Sequence, residues 1–477
     1  MTMTVPTAAD SCSVAELTAA FDRLQARRTA QRALSAKARI RRLESLYREV
    51  LKRRSDIQAA MHADFQKPPE EVDLTEIYVL KSELKAIRRG LRGWMREKKV
   101  PGGLAMVGSA SWIRPEAKGV ALIIAPWNYP LQLLFRPLMS AVAAGCPALL
   151  KPSELTPHVS AICAEIVQAV FPPEEVFCVE GGVQIAQHLL GLPFDHIYFT
   201  GSPAVGKKVM AAAAAHPCSV TLELGGKSPV IVDETADAAV AARRLVWAKL
   251  LNAGQICVAP DYVFVHAAQR DAFLSALQSA IPREYGADPS ASPDYQRIVN
   301  QRHTERIGGL IDDALAGGAR ALVGGEVRPD QCYVAPTVLL DVAPSAQILE
   351  EEIFGPVLPV LVYDDIETVM QAIESRPTPL ALYIYSKSRR NISAISARLQ
   401  SGGVSINNSV VHVSSTSLPF GGLGNSGVGV GHGEFGFREF THFRGMYQQL
   451  IPGAAELLTP PYRDFKRRII AFVLRWF

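Results

Sequence analysis

The 477-residue sequence is long enough for two to four domains, and its 48% hydrophobic content provides material for a large buried core. Its 50 basic and 46 acidic residues leave a net charge of +4, which is too balanced to indicate nucleic-acid binding. The seven cysteines are scattered and include no CxxC pair, which argues against a disulfide framework and favours a reduced, cytoplasmic protein. The ten histidines are also dispersed, so no protein-bound metal is predicted. No secretory signal is predicted at the amino terminus, and the longest apolar stretch, residues 119–145, contains polar residues and three prolines, so no membrane span is predicted.

The amino-terminal part is predicted to be helical. Apolar residues recur at three- and four-residue steps over residues 14–65, and arginines occupy the other face. The prolines within residues 66–69 end this run, and a second basic helix is predicted through residue 94. A short strand is predicted over residues 105–114.

Strands and helices alternate from residue 119 onward, at a spacing of roughly 25 residues that is typical of an open parallel α/β sheet. The strands are short apolar runs, as expected for strands buried on both faces. A second alternating series begins with a strand at 229–233 and continues to about residue 399, and the glycine-dense segment 402–436 is predicted to be loop and strand. In the first series we predict strands at 120–125, 148–151, 176–179 and 196–200, and helices at 131–144, 156–171 and 183–190.

Two nearby segments suggest covalent catalysis through sulfur. Cys257 lies in a loop-like run of small and polar residues, and Glu223, 34 residues earlier, is followed by a leucine and two glycines that leave room for a mobile carboxylate. Taken alone, a single cysteine is more often inert and buried, and a glutamate at a strand end can be purely structural. The other six cysteines are interpreted as structural.

Other candidates follow predicted strands. The rigid turn at 125–130 places Asn128 where it could donate to an oxyanion, and Gly201 and Ser202 begin a helix whose backbone N–H groups suit a phosphate. Lys151 and Glu154 could reach ribose hydroxyls at the same edge of the sheet. For each segment alone, an ordinary turn is an equally good interpretation.

Two further glycine motifs are rejected as nucleotide-binding signatures. Gly226-Lys227-Ser228 ends like a Walker A loop but has Thr221 where the first glycine is required. The segment 422–427 matches GxGxxG but does not follow a predicted strand. By contrast, the acidic segment 350–356 places Glu352 and Phe354 beside a tight turn, although it could be a solvated loop.

Seven short motifs, in family order over residues 120–425, together resemble the aldehyde dehydrogenase superfamily. The short amino-terminal region and the sequences around Cys257 and Gly424 are similar to its class 3 branch, which includes fatty-aldehyde, benzaldehyde and coniferyl-aldehyde enzymes. Ile256 stands where many relatives have threonine, and the loop 429–435 is less typical of the family. The motifs are Pro126–Pro130, Lys151–Glu154, Phe199–Ser202, Leu222–Lys227, Gly254–Cys257, Glu351–Pro356 and Leu418–Gly422.

The resemblance implies roles for these residues. Cys257 would be the nucleophile, Glu223 the general base and Asn128 an oxyanion donor. The cofactor would be NAD or NADP. Lys151 and Glu154 would contact its adenosine ribose, and Ser202 its pyrophosphate. Glu352 would hold the nicotinamide ribose with Phe354 beside the ring, and Trp127 and Gly201 are further cofactor-binding residues. NAD is slightly favoured, because the Glu154 carboxylate would repel a 2′-phosphate.

The resemblance also implies an α/β aldehyde dehydrogenase fold and a homodimer. The expected parts are a Rossmann-like NAD(P)-binding domain (1–96 and 117–224), an α/β catalytic domain (225–402), a small β oligomerisation arm (97–116 and 403–450) and a carboxy-terminal tail (451–477). The expected reaction is NAD(P)-dependent oxidation of a hydrophobic aldehyde, aromatic or medium- to long-chain aliphatic, to its acid. The alternatives are a CoA-acylating enzyme, which the base Glu223 disfavours, and a non-catalytic protein, which the joint presence of Cys257, Glu223 and Asn128 disfavours.

The tail 464–477 is predicted to be a basic amphipathic helix. It could pack on a dimer partner, cover the substrate entrance or contact a membrane, so the expected localisation is cytoplasmic with membrane association through the tail. Its apolar face comprises Phe465, Ile469, Phe472, Val473 and Trp476, while Lys466, Arg467 and Arg475 lie elsewhere.

Overall fold

The amino-terminal region is helical, as predicted. The computed structural model describes residues 12–103, 106–453, 456 and 458–476. Gln66 adopts the left-handed conformation (φ 54°) that ends the third helix, and a π-helical turn, Asp73–Ile77, leads into the fifth. The helices are α1 (Val14–Arg32), α2 (Ala36–Lys52), α3 (Arg54–Phe65), α4 (Pro69–Val72) and α5 (Tyr78–Trp94).

The first alternating series forms a six-stranded sheet in the order β17-β7-β6-β3-β4-β5, with only β17 antiparallel to its neighbour. The predicted strands are confirmed to within two residues at each end. The strands β3, β4 and β6 are buried along their whole length, and each contains a run of at least three apolar residues. The strands are β3 (Ala121–Ile124), β4 (Ala148–Lys151), β5 (Val176–Cys178), β6 (His196–Thr200), β7 (Ser219–Glu223) and β17 (Gly427–Val428). The helices are α6 (Gln132–Ala144), α7 (Pro157–Val170), α8 (Val183–Leu190) and α9 (Pro203–Ala213).

The second series forms a seven-stranded sheet in the order β10-β13-β14-β9-β8-β15-β16, parallel except at β10. Its core is the largest hydrophobic cluster of the described residues. The strands are β8 (Pro229–Val232), β9 (Tyr262–His266), β10 (Arg320–Val323), β13 (Thr337–Leu340), β14 (Val357–Tyr363), β15 (Ala381–Tyr385) and β16 (Gly403–Ile406). The helices are α10 (Ala238–Leu250), α11 (Arg270–Tyr285), α12 (Gln301–Ala316), α13 (Gln347–Glu350), α14 (Ile366–Glu374) and α15 (Arg389–Arg398).

A separate three-stranded antiparallel sheet, β1-β2-β18, joins distant parts of the chain. Its strands are β1 (Lys98–Lys99), β2 (Ser109–Ala117) and β18 (Thr441–Gln449), and a small hairpin, β11 (Val327–Arg328) with β12 (Tyr333–Val334), lies elsewhere. The predicted strand 105–114 was misplaced toward the amino terminus. The Met106 N–H donates to the Gly103 carbonyl, and Gly108 has a positive φ of 86°. The strand therefore begins only at Ser109. Ala105, where the predicted strand began, lies outside the described residues.

The glycine-dense segment 402–436 contains strands, as predicted, but it also begins an unpredicted helix, α16 (Gly433–Glu439). Tertiary packing explains this helix despite its glycines, because a Cβ at Gly436 would lie 2.5 Å from Ser140 Oγ on α6. The GxGxxG-like segment has a packing role too. Gly427 pairs with Glu223, and a Cβ there would lie 2.4 Å from the Leu222 carbonyl.

The carboxy-terminal helix, called here the tail helix, spans Asp464–Trp476, as predicted. None of its side chains is buried, and Phe465, Phe472 and Trp476 are 74%, 59% and 65% exposed. In the described ranges, no helix combines the length and apolar character needed to cross a membrane.

Candidate active site

Parallel strands bring the predicted polar residues to one edge of the first sheet. The turn after β3 carries Trp127 and Asn128, β6 is followed by Gly201 and Ser202, and β7 ends at Glu223. Because carboxyl ends of parallel strands share one edge, these residues converge although they are far apart in sequence. Ser202 also caps α9, where its side chain accepts a hydrogen bond from the Val205 N–H.

Three cavities meet at Cys257. A cleft of about 550 Å³, a mostly apolar tunnel of about 270 Å³ and a small chamber of about 30 Å³ are all lined by this residue. The cleft also contacts Glu223, which reaches the chamber as well. Eight of the ten predicted site residues line the cleft: Trp127, Asn128, Gly201, Ser202, Glu223, Cys257, Glu352 and Phe354.

A network of amides holds the loop before Cys257. Asn252 adopts a left-handed conformation (φ 52°), and its Nδ2 donates to the carbonyls of Asn128 (3.1 Å) and Gln255 (3.0 Å). Asn128 Nδ2 donates to the same Gln255 carbonyl at 2.9 Å, which leaves its second N–H for another acceptor. The nucleophile loop and the Asn128 turn are therefore fixed against each other.

The Cys257 side chain rests as a neutral thiol. Burial and the nearby carboxyls of Glu352 and Glu223 raise the pKa of this thiol above its ordinary value, although the backbone N–H groups of Cys257 and Val258 act in the opposite direction. A positive charge brought into the cleft would favour the thiolate.

Glu223 is buried, and its surroundings favour the protonated carboxyl. Burial raises the pKa of its carboxyl well above the ordinary value, and Glu439 adds to this increase. Its Oε1 accepts a hydrogen bond from Tyr198 Oη at 3.4 Å, while Oε2 has no hydrogen-bond partner among the described residues. A buried oxygen without a partner is costly, so Oε2 is suited to meet a bound molecule.

The far side of the cleft carries Glu352 and two aromatic rings. Burial raises the pKa of Glu352 to about 8, and its Oε1 has no hydrogen-bond partner among the described residues. A Cβ at Gly225 would lie 2.1 Å from Glu352 Oε2, so glycine is required for the carboxyl to lie against this backbone. Phe354 packs edge-on against Trp127 with ring centroids 5.4 Å apart. An acid and an aromatic wall are appropriate for a ribose and a nicotinamide ring.

Lys151 and Glu154 do not line the cleft. They form an ion pair of 2.6 Å beside it, at the carboxyl end of β4, where Lys151 is paired in register with Ile124 of β3. Both lie on the edge of the sheet that carries the other site residues, one strand beyond the Asn128 turn.

The sequence did not reveal several residues that shape the site. Arg306 on α12 donates to the carbonyls of Glu352 and Ile353 and so holds the loop that carries Glu352. His303, one helical turn earlier, packs against Trp127 at 5.4 Å, and burial lowers its pKa to about 4. Neither residue belongs to a motif, since tertiary packing alone brings α12 to the cleft.

Comparisons with known proteins agree with this geometry. The sequence profile of the aldehyde dehydrogenase family matches residues 2–446. The chain is 40% identical to 4,4'-diaponeurosporen-aldehyde dehydrogenase of Staphylococcus aureus over 90% of this chain and 93% of that protein. It is 41% identical to human aldehyde dehydrogenase family 3 member B1, over 87% and 88% of the two chains.

A solved structure of Staphylococcus aureus AldH in a substrate-bound state superposes with a TM-score of 0.91 at 39% identity, covering 96% of this chain and 99% of that chain. The predicted fold class is thus confirmed. The chain belongs to the aldehyde dehydrogenase family and is an NAD(P)-dependent oxidoreductase that acts on aldehydes.

Proposed function

We propose that this enzyme oxidises hydrophobic aldehydes, aromatic or medium- to long-chain aliphatic, to free carboxylic acids. The observation that carries this proposal is the position of Cys257, at the junction of a polar-edged cleft and an apolar tunnel. Arg136 is the one charged residue among the tunnel's described lining, and it faces Glu83, so the tunnel offers no free cation to an anionic substrate. The Staphylococcus aureus relative is named for 4,4'-diaponeurosporen-aldehyde, and we take the substrate of this chain to be an aldehyde as well.

The site residues receive roles from their positions. Cys257 is the nucleophile, which attacks the aldehyde carbonyl to form a thiohemiacetal, and Asn128 together with the Cys257 backbone N–H stabilises the oxyanion. A bound nicotinamide would supply the hydride acceptor. Glu223 then takes a proton from the water that hydrolyses the resulting thioester, which releases the acid and the Cys257 thiolate.

The cofactor is proposed to lie in the 550 Å³ cleft, with NAD favoured over NADP. Glu352 would hold the nicotinamide ribose with Phe354 and Trp127 beside the ring, while Gly201 and Ser202 at the start of α9 would hold the pyrophosphate. Lys151 and Glu154, lying one strand away, would reach the adenosine ribose. The Glu154 carboxylate is expected to repel a 2′-phosphate, which is the reason to favour NAD.

A substrate and cofactor panel tests this function. We expect reduced nicotinamide to form with aliphatic, benzaldehyde-type and cinnamaldehyde-type aldehydes, with a lower KM for NAD than for NADP, and the free acid to form without CoA. Succinate semialdehyde, which carries a carboxylate, serves as the matched polar substrate and should be much poorer. Turnover only in the presence of CoA would support the acylating alternative, and no turnover with any aldehyde would support a non-catalytic role.

We assign cofactor binding to 1–96 and 117–224, catalysis to 225–402 and a bridging arm to 97–116 and 403–450. The separate sheet of β1, β2 and β18 supports the arm, whereas β16 and β17, within 403–450, pair with the second and the first sheet. The arm strand β18 lies at the edge of its sheet and is exposed along most of its length, including Tyr447 at 51% exposure, and it would pair with a second copy of the chain. Sedimentation velocity of the full chain tests this assignment, which a monomer at micromolar concentration would contradict.

The tail helix is proposed to lie on an anionic membrane surface. At 100° per residue, Phe465, Ile469, Phe472 and Trp476 fall within one narrow sector, while basic residues occupy much of the remaining surface. An exposed apolar face bordered by positive charge is appropriate for the lipid–water interface, and one amphipathic helix gives peripheral rather than permanent binding.

We expect the full chain to co-sediment with vesicles that contain phosphatidylserine, and deletion of residues 464–477 to abolish this binding. Phe472→Ser should weaken binding several-fold, whereas Leu474→Ser, on the opposite face and 81% exposed, is the matched control and should change it little. Equal pelleting of the full and truncated chains would refute membrane contact. Loss of dimerisation or altered chain-length preference on truncation would instead assign the tail to a partner or to the substrate entrance.

A further inference from the structure

The small chamber next to Cys257 collects buried polar atoms. Its volume of about 30 Å³ is large enough to hold water. Four polar atoms of its lining have no hydrogen-bond partner in the described part of the chain: Arg136 Nε, Thr200 Oγ1, Glu223 Oε2 and His432 Nδ1. Such atoms seldom remain unpaired in a folded protein, so four lining residues with unpaired polar atoms make this small space a suitable water site.

Tyr198 fixes the orientation of Glu223 toward this chamber. Its ring stacks on Phe440, with centroids 5.8 Å apart and planes 8° apart, so the hydroxyl has one position. From there Oη donates to Glu223 Oε1 at 3.4 Å, and Oε2 is left without a partner at the chamber. Gly431 closes the other side, where a Cβ would lie 2.9 Å from Tyr198 Oη and 3.7 Å from Glu223 Oε1.

The charges around the chamber bear on the ionised form of Glu223. Arg136, whose guanidinium lies 3.4 Å from Glu83, contributes a positive charge, and Glu83 is itself held by the Gly433 N–H at 2.7 Å. Burial raises the pKa of Glu223, and the charge of Glu439 adds to this increase. The Tyr198 hydrogen bond and the Arg136 charge act in the opposite direction and lower the pKa. Tyr198 therefore favours the carboxylate that a general base requires.

We propose that Tyr198 is a positioning residue for Glu223 and that this chamber holds the water that hydrolyses the thioester on Cys257. The proposal rests on the roles given above to Cys257 and Glu223. In this step the water oxygen bonds to the thioester carbonyl carbon and one water proton passes to Glu223 Oε2. The carbon–sulfur bond then breaks, which releases the carboxylic acid and returns the electron pair to Cys257 as thiolate.

Tyr198→Phe removes the hydroxyl and keeps the ring. We expect the first-turnover burst of reduced nicotinamide to be unchanged, hydrolysis of the acyl-enzyme to slow about 3- to 10-fold near neutral pH, and the acid limb of hydrolysis to move up by about 0.5–1 pH unit. Acid quenching followed by intact-protein mass spectrometry measures the acyl-enzyme directly. The matched control is Tyr295→Phe, which removes a buried hydroxyl bonded to the Val334 carbonyl, lines none of the three cavities and should change neither quantity.

A double-mutant cycle separates positioning from general disturbance. Gly431→Ala should displace Tyr198 Oη and slow hydrolysis in the wild-type background, but it should add little in the Tyr198→Phe background, where the clashing oxygen is gone. Unchanged hydrolysis and pH profile in Tyr198→Phe, or an equal cost of Gly431→Ala in both backgrounds, would overturn the proposal. A wild-type enzyme that forms no acyl-enzyme would instead refute the proposed role of Cys257.

Discussion

Replacement of Cys257 by alanine is expected to lower kcat/KM for every aldehyde by at least about 10⁴-fold, because a methyl group cannot form the thiohemiacetal from which hydride leaves. The variant should fold normally, since Cys257 is only partly buried and packs at the border of the core. It should also bind the cofactor, because the cleft is lined mainly by other residues. Steady-state turnover together with cofactor titration by fluorescence measures both expectations.

Cys218→Ala is the matched control for this experiment. Cys218 is also a partly exposed free cysteine, but it lies at the start of β7 and lines none of the three cavities that meet at Cys257. Its replacement should leave turnover within about two-fold of wild type, as is usual for a conservative change away from a site. Substantial turnover by Cys257→Ala, or a comparable loss in Cys218→Ala, would contradict the assignment of Cys257 as nucleophile.

The fold could be predicted best where burial leaves a simple pattern. The bounds of β4, β6 and α8 agree with prediction to the residue, because each buried strand has an apolar run at its centre and α8 lies between glycines. The strand β2 was misplaced, because it is partly exposed along its whole length and has no such run. The helix α16 was missed, because contacts with α5 and α6 outweigh the low helix propensity of its glycines.

The residues of the candidate site also differ in whether they could be predicted from the sequence. Residues in short motifs after strands, such as Asn128, Ser202 and Glu223, could be selected from the sequence, because sheet geometry places such positions at one edge. Tyr198 and Arg306 could not be selected, since their contacts depend on how helices and strands pack. Lys151 and Glu154 illustrate a further limit, because spacing placed them at the correct edge but did not show that they pair with each other beside the cleft.

The three cavities explain how one cysteine can serve two successive reactions. In the proposed mechanism, the cleft would hold the hydride acceptor beside Cys257, the tunnel would hold the apolar aldehyde, and the chamber would hold the water on the side of Glu223. Because the proposed water site is a small space separate from the cleft, the thiohemiacetal would lose hydride in an environment with little bulk water. The division of space thus favours oxidation before hydrolysis.

Glu223→Gln should therefore separate the two reactions. The first turnover should still release reduced nicotinamide, because hydride transfer does not need a base at this position, whereas kcat should fall about 10²- to 10⁴-fold, because the amide cannot take a proton from water. The acyl-enzyme should accumulate on Cys257 and be visible by mass spectrometry after acid quenching. In the wild type, a raised pKa of Glu223 means that hydrolysis requires its deprotonation, so the rate should increase with pH through a range above that of an ordinary carboxyl.

Glu439→Gln provides the control for this second experiment, because it changes the neighbouring carboxyl in the same way. Glu439 raises the pKa of Glu223, so its neutralisation should preserve hydrolysis and move the acid limb to lower pH. Both variants keep the Tyr198 hydroxyl and the Arg136 charge. Only Glu223→Gln lacks the Glu223 carboxyl, so a loss of hydrolysis in that variant alone is due to this carboxyl. A Glu223→Gln enzyme that turns over without accumulating acyl-enzyme would show that another group activates the water. The chamber beside Glu223 would then not be the site of the hydrolytic water.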